Sequence, residues 1–229
     1  MSSLTHESGI YDQRQSGVDT LSSRAYNFAI PFFTTLEIMI AGLAASVSYS
    51  WTFGGSSALY LLFIFACFIA AVGGSIFTMS TDVPILSFAG GSLTAAAMGL
   101  MVGPFVALYS GADVFQAFVL TAGVVLLTGF IGATIPQDLV GWGSTLFGAL
   151  LGLIIINFAA IFLGATTGFV MTLIDWAVVL LFSAIMMYDM NQAQRLDKTL
   201  DNAIDVSVNV FMNFMNIFIR LLAIFGSRD

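Results

Sequence analysis

The stretch Asn202-Ala203-Ile204-Asp205-Val206-Ser207-Val208-Asn209-Val210-Phe211-Met212-Asn213-Phe214-Met215-Asn216-Ile217-Phe218-Ile219-Arg220 says more about this chain than any other part of it. Asn202, Asp205, Asn209, Asn213, Asn216 and Arg220 stand 3, 4, 4, 3 and 4 residues apart. On a helix turning about 100° per residue they fall within roughly 80° of one another. Valines, phenylalanines, methionines, isoleucines and leucines fill the rest of the circumference. At about 1.5 Å per residue the polar seam runs roughly 27 Å, close to the thickness of a bilayer's hydrocarbon core. Amides are not presented to lipid through that depth, so the seam faces protein or water. The stretch therefore reads as an interior helix of a membrane bundle.

Composition agrees. Hydrophobic residues make up 59% of the 229 and charged residues 8%, with a mean hydropathy of +0.98. A water-soluble domain carries about a quarter charged residues, so this chain uses lipid as its solvent. Its six basic residues leave no patch for RNA or DNA. The single cysteine, Cys67, sits in an apolar run, has no partner for an intrachain disulfide and reads as a small hydrophobe. Residues 1–27 are rich in Ser, Thr and Gln, carry the only histidine (His6) and lack an apolar run. They read as a disordered polar tail rather than a cleavable signal peptide. Residues 28–226 form the membrane domain.

Seven apolar segments of about 20 residues are expected to span: Phe28–Tyr49, Ala58–Met79, Val83–Val102, Val114–Ile135, Gly141–Leu163, Phe169–Tyr188 and Asp205–Phe225. The class is all-α, polytopic. Short breaks separate the spans, among them Trp51 to Ser57 around Gly54-Gly55, Gly103 to Asp113 with Pro104, and Pro136-Gln137-Asp138. Ala89-Gly90-Gly91-Ser92, Ala95-Ala96-Ala97 with Gly99, and Gly148 with Gly152 predict close helix–helix approaches. Asp113 reads as a helix N-cap. Arg14 and Arg24 precede span one, and Arg195 and Lys198 lie between spans six and seven. The positive-inside rule puts both regions, and so the N-terminus, in the cytoplasm. A crossing by span seven carries Arg220 and Arg228 outside; a re-entrant span would return them to the cytoplasm.

Ionisable groups within a membrane are functional candidates by default. Glu37 lies midway along span one, Asp175 in the outer part of span six, and Asp189 at its cytoplasmic end. Asp175 and Asp189 are 14 residues apart, nearly four turns, and project from one face. No basic residue lies deep in spans one to six to neutralise these acids. Such carboxyls can exchange protons or offer hard oxygen ligands to a cation, and Asp189 is a candidate calcium ligand. Each also has a bland reading, as a hydrogen-bonded packing group or an acid wet at the interface, and the seam's amides need do no more than join helices.

The run Ser183-Ala184-Ile185-Met186-Met187-Tyr188-Asp189-Met190-Asn191-Gln192, with Asn213, Asn216, Phe218, Arg220-Leu221-Leu222 and Gly226 further on, resembles the Bax inhibitor-1 (transmembrane Bax-inhibitor-motif) family. Gly99-Leu100 with Pro104, Ala117-Phe118 with Thr121-Ala122, and Gly132 with the Asp138 turn extend the likeness over roughly residues 26–226. The resemblance implies seven helices with the last one central, and a pH-sensitive calcium leak. It also implies an aspartate pair, one on span six and one on the last helix, sharing a proton. Asp189 matches the first; the second position is held by Asn213. An Asp–Asn pair lacks the coupling of two carboxylates, although its amide oxygen can still meet a cation. Asp205, two turns earlier, places a second carboxylate about 12 Å closer to the cytoplasm.

The leading expectation is a passive calcium leak with Asp189 at the gate and Asn209, Asn213, Asn216, Asp205, Glu37 and Asp175 along the path. Its partners are the lipid bilayer and the transported calcium ion, with no cofactor and no nucleic acid. The alternative is a non-transporting regulator that binds another membrane protein, such as a membrane protease, through its polar tail. An enzyme is not expected. Tyr188-Asp189 resembles half of an intramembrane aspartyl protease site, but no Gly-x-Gly-Asp partner follows. A membrane histidine, a lysine in the last helix, a Cys/His cluster and a phosphate-binding glycine loop are all missing from the sequence. The short tail without retention or transit signals suggests a bacterial plasma membrane.

Overall fold

The computed structural model describes residues 20–51, 55–164 and 168–226. Seven helices follow in order: α1 (Ser23–Ser48), α2 (Ser57–Ser80), α3 (Pro84–Val106), α4 (Gly111–Thr134), α5 (Gly143–Phe162), α6 (Phe169–Ala193) and α7 (Leu200–Phe225), with a 3₁₀ turn at Val140–Trp142 before α5. Each is long and apolar enough to cross a membrane. Among the described residues there is no strand. His6, Arg14, Gly54, Arg228 and most of the expected polar tail lie outside the described residues.

The helices start where hydroxyl caps allow. Ser22, Ser56, Ser110 and Thr199 each accept the backbone N–H three residues on, at 3.1–3.4 Å. Ser110, not Asp113, caps α4; Asp113 sits in the first turn and its carboxylate accepts the Ser110 hydroxyl at 2.9 Å. Hydropathy marks hydrocarbon thickness, not helix ends, so the helices outrun the apolar segments. α1 begins at Ser23, inside the expected tail, α6 continues to Ala193, and α7 begins at Leu200.

Helix α7 is the axis of the bundle. It packs against α1, α3, α4 and α6 and more lightly against α2, while α5 packs principally on α6. Phe211, Ile217 and Leu222 of α7 are fully enclosed, and Phe118 of α4 meets Phe214 edge-on at 5.4 Å. The outer faces carry Phe28, Leu61, Phe115, Leu126, Phe130 and Ile155, all exposed, a surface that suits lipid and not water. Lys198 donates to the Ser23 hydroxyl at 2.7 Å, so the start of α1 and the α6–α7 connection share one end. Gly226 abuts Tyr109 in the α3–α4 connection at the other end. α7 therefore traverses the whole bundle without re-entering, and Arg220 lies at the end opposite Arg195.

Small residues do their expected work only in part. A Cβ on Gly74 would stand 2.7 Å from the Gly90 carbonyl oxygen, so α2 and α3 touch backbone to backbone. Gly148 and Gly152 were expected to pack a neighbouring helix, but a Cβ at either would meet nothing within 4 Å. With α5 at the edge of the bundle, no helix covers that face. Cys67 is a buried free thiol on α2, as its apolar surroundings require.

Candidate functional site: polar contacts around the last helix

Asp189 and Asn213 meet between α6 and α7. The Asn213 amide Nδ2 donates to Asp189 Oδ2 at 2.7 Å, and both side chains are buried. Met186 closes the contact from one side, its sulfur 3.9 Å from the same amide nitrogen. Asp189 Oδ1 has no hydrogen-bond partner among the described residues. Glycine on α4 makes the geometry possible. A Cβ on Gly132 would overlap the Met187 carbonyl, and one on Gly129 would stand 2.8 Å from the Met186 methyl. The segment Met186–Asp189 is thus pressed between α4 and α7.

The α6 end beyond Asp189 is a clamp on the α4–α5 turn. Asn191 Nδ2 lies within hydrogen-bonding distance of the carbonyls of Gly132, Ile135 and Gln137, at 3.3, 3.0 and 3.1 Å. Its Oδ1 accepts the Leu139 N–H at 3.1 Å. The Gly132 carbonyl is one that the last turn of α4 leaves unpaired, and those of Ile135 and Gln137 lie just beyond the helix end. Gln192 donates to Asp138 at 3.2 Å, and Arg195 pairs with Asp138 at 3.4 Å while reaching the Pro136 carbonyl. The Val140 N–H, then Gln192 and Arg195, hold the Asp138 carboxyl below the usual carboxylate range. Tyr188 fills the start of α5, its phenol oxygen 2.8 Å from where a Cβ of Gly143 would be.

The remaining candidates separate into different places. Asp175 is buried and paired with Arg220, Oδ1 to Nη1 at 2.8 Å, so the cation missing from spans one to six comes from α7. Asp175 is therefore neither unneutralised nor wet at the interface. Glu37 is fully enclosed, but it faces Ser207, whose hydroxyl is 3.0 Å from its Oε1. Ser207 lies roughly 160° round α7 from the centre of the seam. Glu37 and Asp189 are thus on opposite sides of the central helix. Asp205 lies beside the Tyr26 phenol near the start of α7; Asn209 is buried between them and Asn213, and Asn216 is partly covered a turn beyond.

Sequence reading missed Ser207, Asn191 and the buried pair of Asp201 with the Ser87 hydroxyl at 2.5 Å. Ser and Asn in apolar helices are compatible with plain packing, and only the neighbouring helix reveals the partner. Asp201 lies outside the apolar span Asp205–Phe225, so the search for acids within the membrane did not reach it. Among the described residues no three His, Cys, Asp or Glu side chains converge. Calcium at a tight site takes six to eight oxygens, so Asp189 with an amide neighbour suits brief contact better than storage.

A central helix packed by α1, α3, α4 and α6, with a polar seam that meets Asp189 and Asp175 of α6, defines a polytopic integral membrane protein. The profile of the family described as "Inhibitor of apoptosis-promoting Bax1" matches residues 31–229. The chain belongs to the Bax inhibitor-1 family. It is 24% identical to the inner membrane protein YbhL of Escherichia coli K12 over 94% of this chain and 95% of that one. It is 29% identical to an uncharacterised Helicobacter pylori protein over 80% of this chain and 74% of that one. An uncharacterised membrane protein of Streptococcus pyogenes serotype M3 is 28% identical over 59% of this chain, and the match spans 61% of that relative's length.

Proposed function

We propose that the protein is a passive calcium leak of a bacterial inner membrane, with the N-terminus in the cytoplasm and the Asp189–Asn213 contact closing the path. The supporting observation is that contact: a buried carboxylate held at 2.7 Å by an amide of the central helix, with its second oxygen unclaimed. A calcium ion approaching Asp189 competes with one hydrogen bond from an uncharged amide, not with a salt bridge. Net exchange of such a bond involves only about 0.5–3 kcal/mol, a barrier that permits slow leakage. Arg195 and Lys198, at the same end as the start of α1, support that orientation.

The test is calcium entry into liposomes carrying the purified protein and an internal indicator. Entry above empty liposomes is expected, and Asp189→Asn and Asn213→Leu should each change its rate by about tenfold, the equivalent of 1.4 kcal/mol. If both variants match the wild type, the assignment is wrong. If no preparation exceeds empty liposomes, the protein is better sought as a regulator bound to another membrane protein.

A further inference from the structure

We infer that the crevice between α5, α6 and α7 is a water-filled vestibule that opens at the end of the bundle opposite the Arg195–Asp138 clamp. The crevice encloses about 220 Å³ and is lined by Asn157 of α5 and by Asn216 and Arg220 of α7, with Leu150 and Phe182 deeper in. It exists because α5 packs on α6 and leaves α7 partly uncovered.

Its polar atoms argue for water. Asn157 directs its amide to the Leu153 carbonyl at 3.0 Å, and Asn216 directs its own to the Met212 carbonyl at 2.8 Å, each one turn back on its own helix. Neither asparagine's own Oδ1 has a partner among the described residues. Arg220 engages Asp175 through Nη1, and its remaining N–H groups have no acceptor there. In hydrocarbon each unsatisfied polar group costs several kcal/mol, so three at one spot are untenable if dry. A cavity of this size holds several waters, and each finds an acceptor or a donor on the wall. Lipid chains would satisfy none of these groups.

Position gives the vestibule its use. Asn157, Asp175 and Arg220 each lie about 8 Å inside their helix ends, where bulk water is near. Asn216 is one turn from Asn213, so water in the crevice stands one helical turn from the Asp189 contact. Leu150 and Phe182 form an apolar floor that ends the wet region. The link from vestibule to ion path rests on the leak reading above; the hydration itself does not.

Cysteine accessibility tests it. In a Cys67→Ala background, Asn157→Cys, Asn216→Cys and Ile154→Cys place thiols on the wall, the last leaving every polar group intact. Leu180→Cys, exposed on the lipid side of α6, is the dry control. The probe is a membrane-impermeant trimethylammonium thiosulfonate added to proteoliposomes. Only a thiolate reacts, and a thiolate forms only in water, so wall positions should react at least about 100-fold faster than Leu180→Cys. Wall positions as slow as the control overturn the vestibule. Fast labelling without Asp189-dependent flux supports the vestibule and removes the leak; Asp189-dependent flux with no labelling does the reverse.

Discussion

Arg220→Gln is expected to lower the unfolding free energy by about 3 kcal/mol, the low end of the range for removing one partner of a buried ion pair. Asp175 is buried, and its Oδ1 has Arg220 Nη1 as its partner at 2.8 Å. Deleting the guanidinium leaves a carboxylate enclosed by α6 and α7 with its desolvation uncompensated. The low end applies because the Arg220 side chain is 29% exposed and water in the crevice will solvate part of the loss. Asp175→Asn added to Arg220→Gln should recover most of the stability, since the pair then becomes two neutral amides. Thermal unfolding in detergent checks both variants. A single variant within about 0.5 kcal/mol of the wild type would mean that the pair is screened like a surface salt bridge.

Gly132→Val should have a comparable effect by a different route. The new Cβ would overlap the Met187 carbonyl, a backbone atom that cannot rotate aside, so α4 and α6 must separate. Overpacking of this kind costs about 1–3 kcal/mol, and here it comes with loss of the Asn191 bonds to Gly132 and Ile135. Gly148→Val is the matched control, because nothing lies within 4 Å of a Cβ there. Gly132→Val is expected to unfold at a lower temperature and to alter calcium entry, because Met187 and Asp189 move together; Gly148→Val should do neither. Equal behaviour of the two would contradict the packing described for α4 and α6.

The fold was legible because lipid imposes a simple grammar. Seven apolar runs of the required length became seven helices, and the period of the asparagines marked α7 as the interior one before any neighbour was known. The Asp189–Asn213 meeting was anticipated from the family resemblance, not from the residues alone. What stayed hidden depends on which helices are neighbours. Asp175 and Arg220 are 45 residues apart, and no periodicity joins them. Glu37 was placed along the same path as the seam because depth along a span is readable while direction toward a partner is not. Ser207, which receives it, sits on the far side of α7 among valines. Gly148 and Gly152 look like the packing glycines of α2 and α3, yet they face open space because α5 has one neighbour where α3 has several.

Calcium entry measured across pH for the wild type and Asn213→Asp bears most directly on the Asp189–Asn213 gate. In the wild type the contact holds one carboxyl beside an amide that cannot titrate, so entry should vary less steeply with pH than in a variant holding two. In Asn213→Asp two carboxylates would occupy the same 2.7 Å contact and share a proton. As pH rises the shared proton leaves, repulsion parts α6 from α7, and entry should increase by about tenfold between about pH 6 and pH 8. A variant no more dependent on pH than the wild type would place the gate away from Asp189 and Asn213.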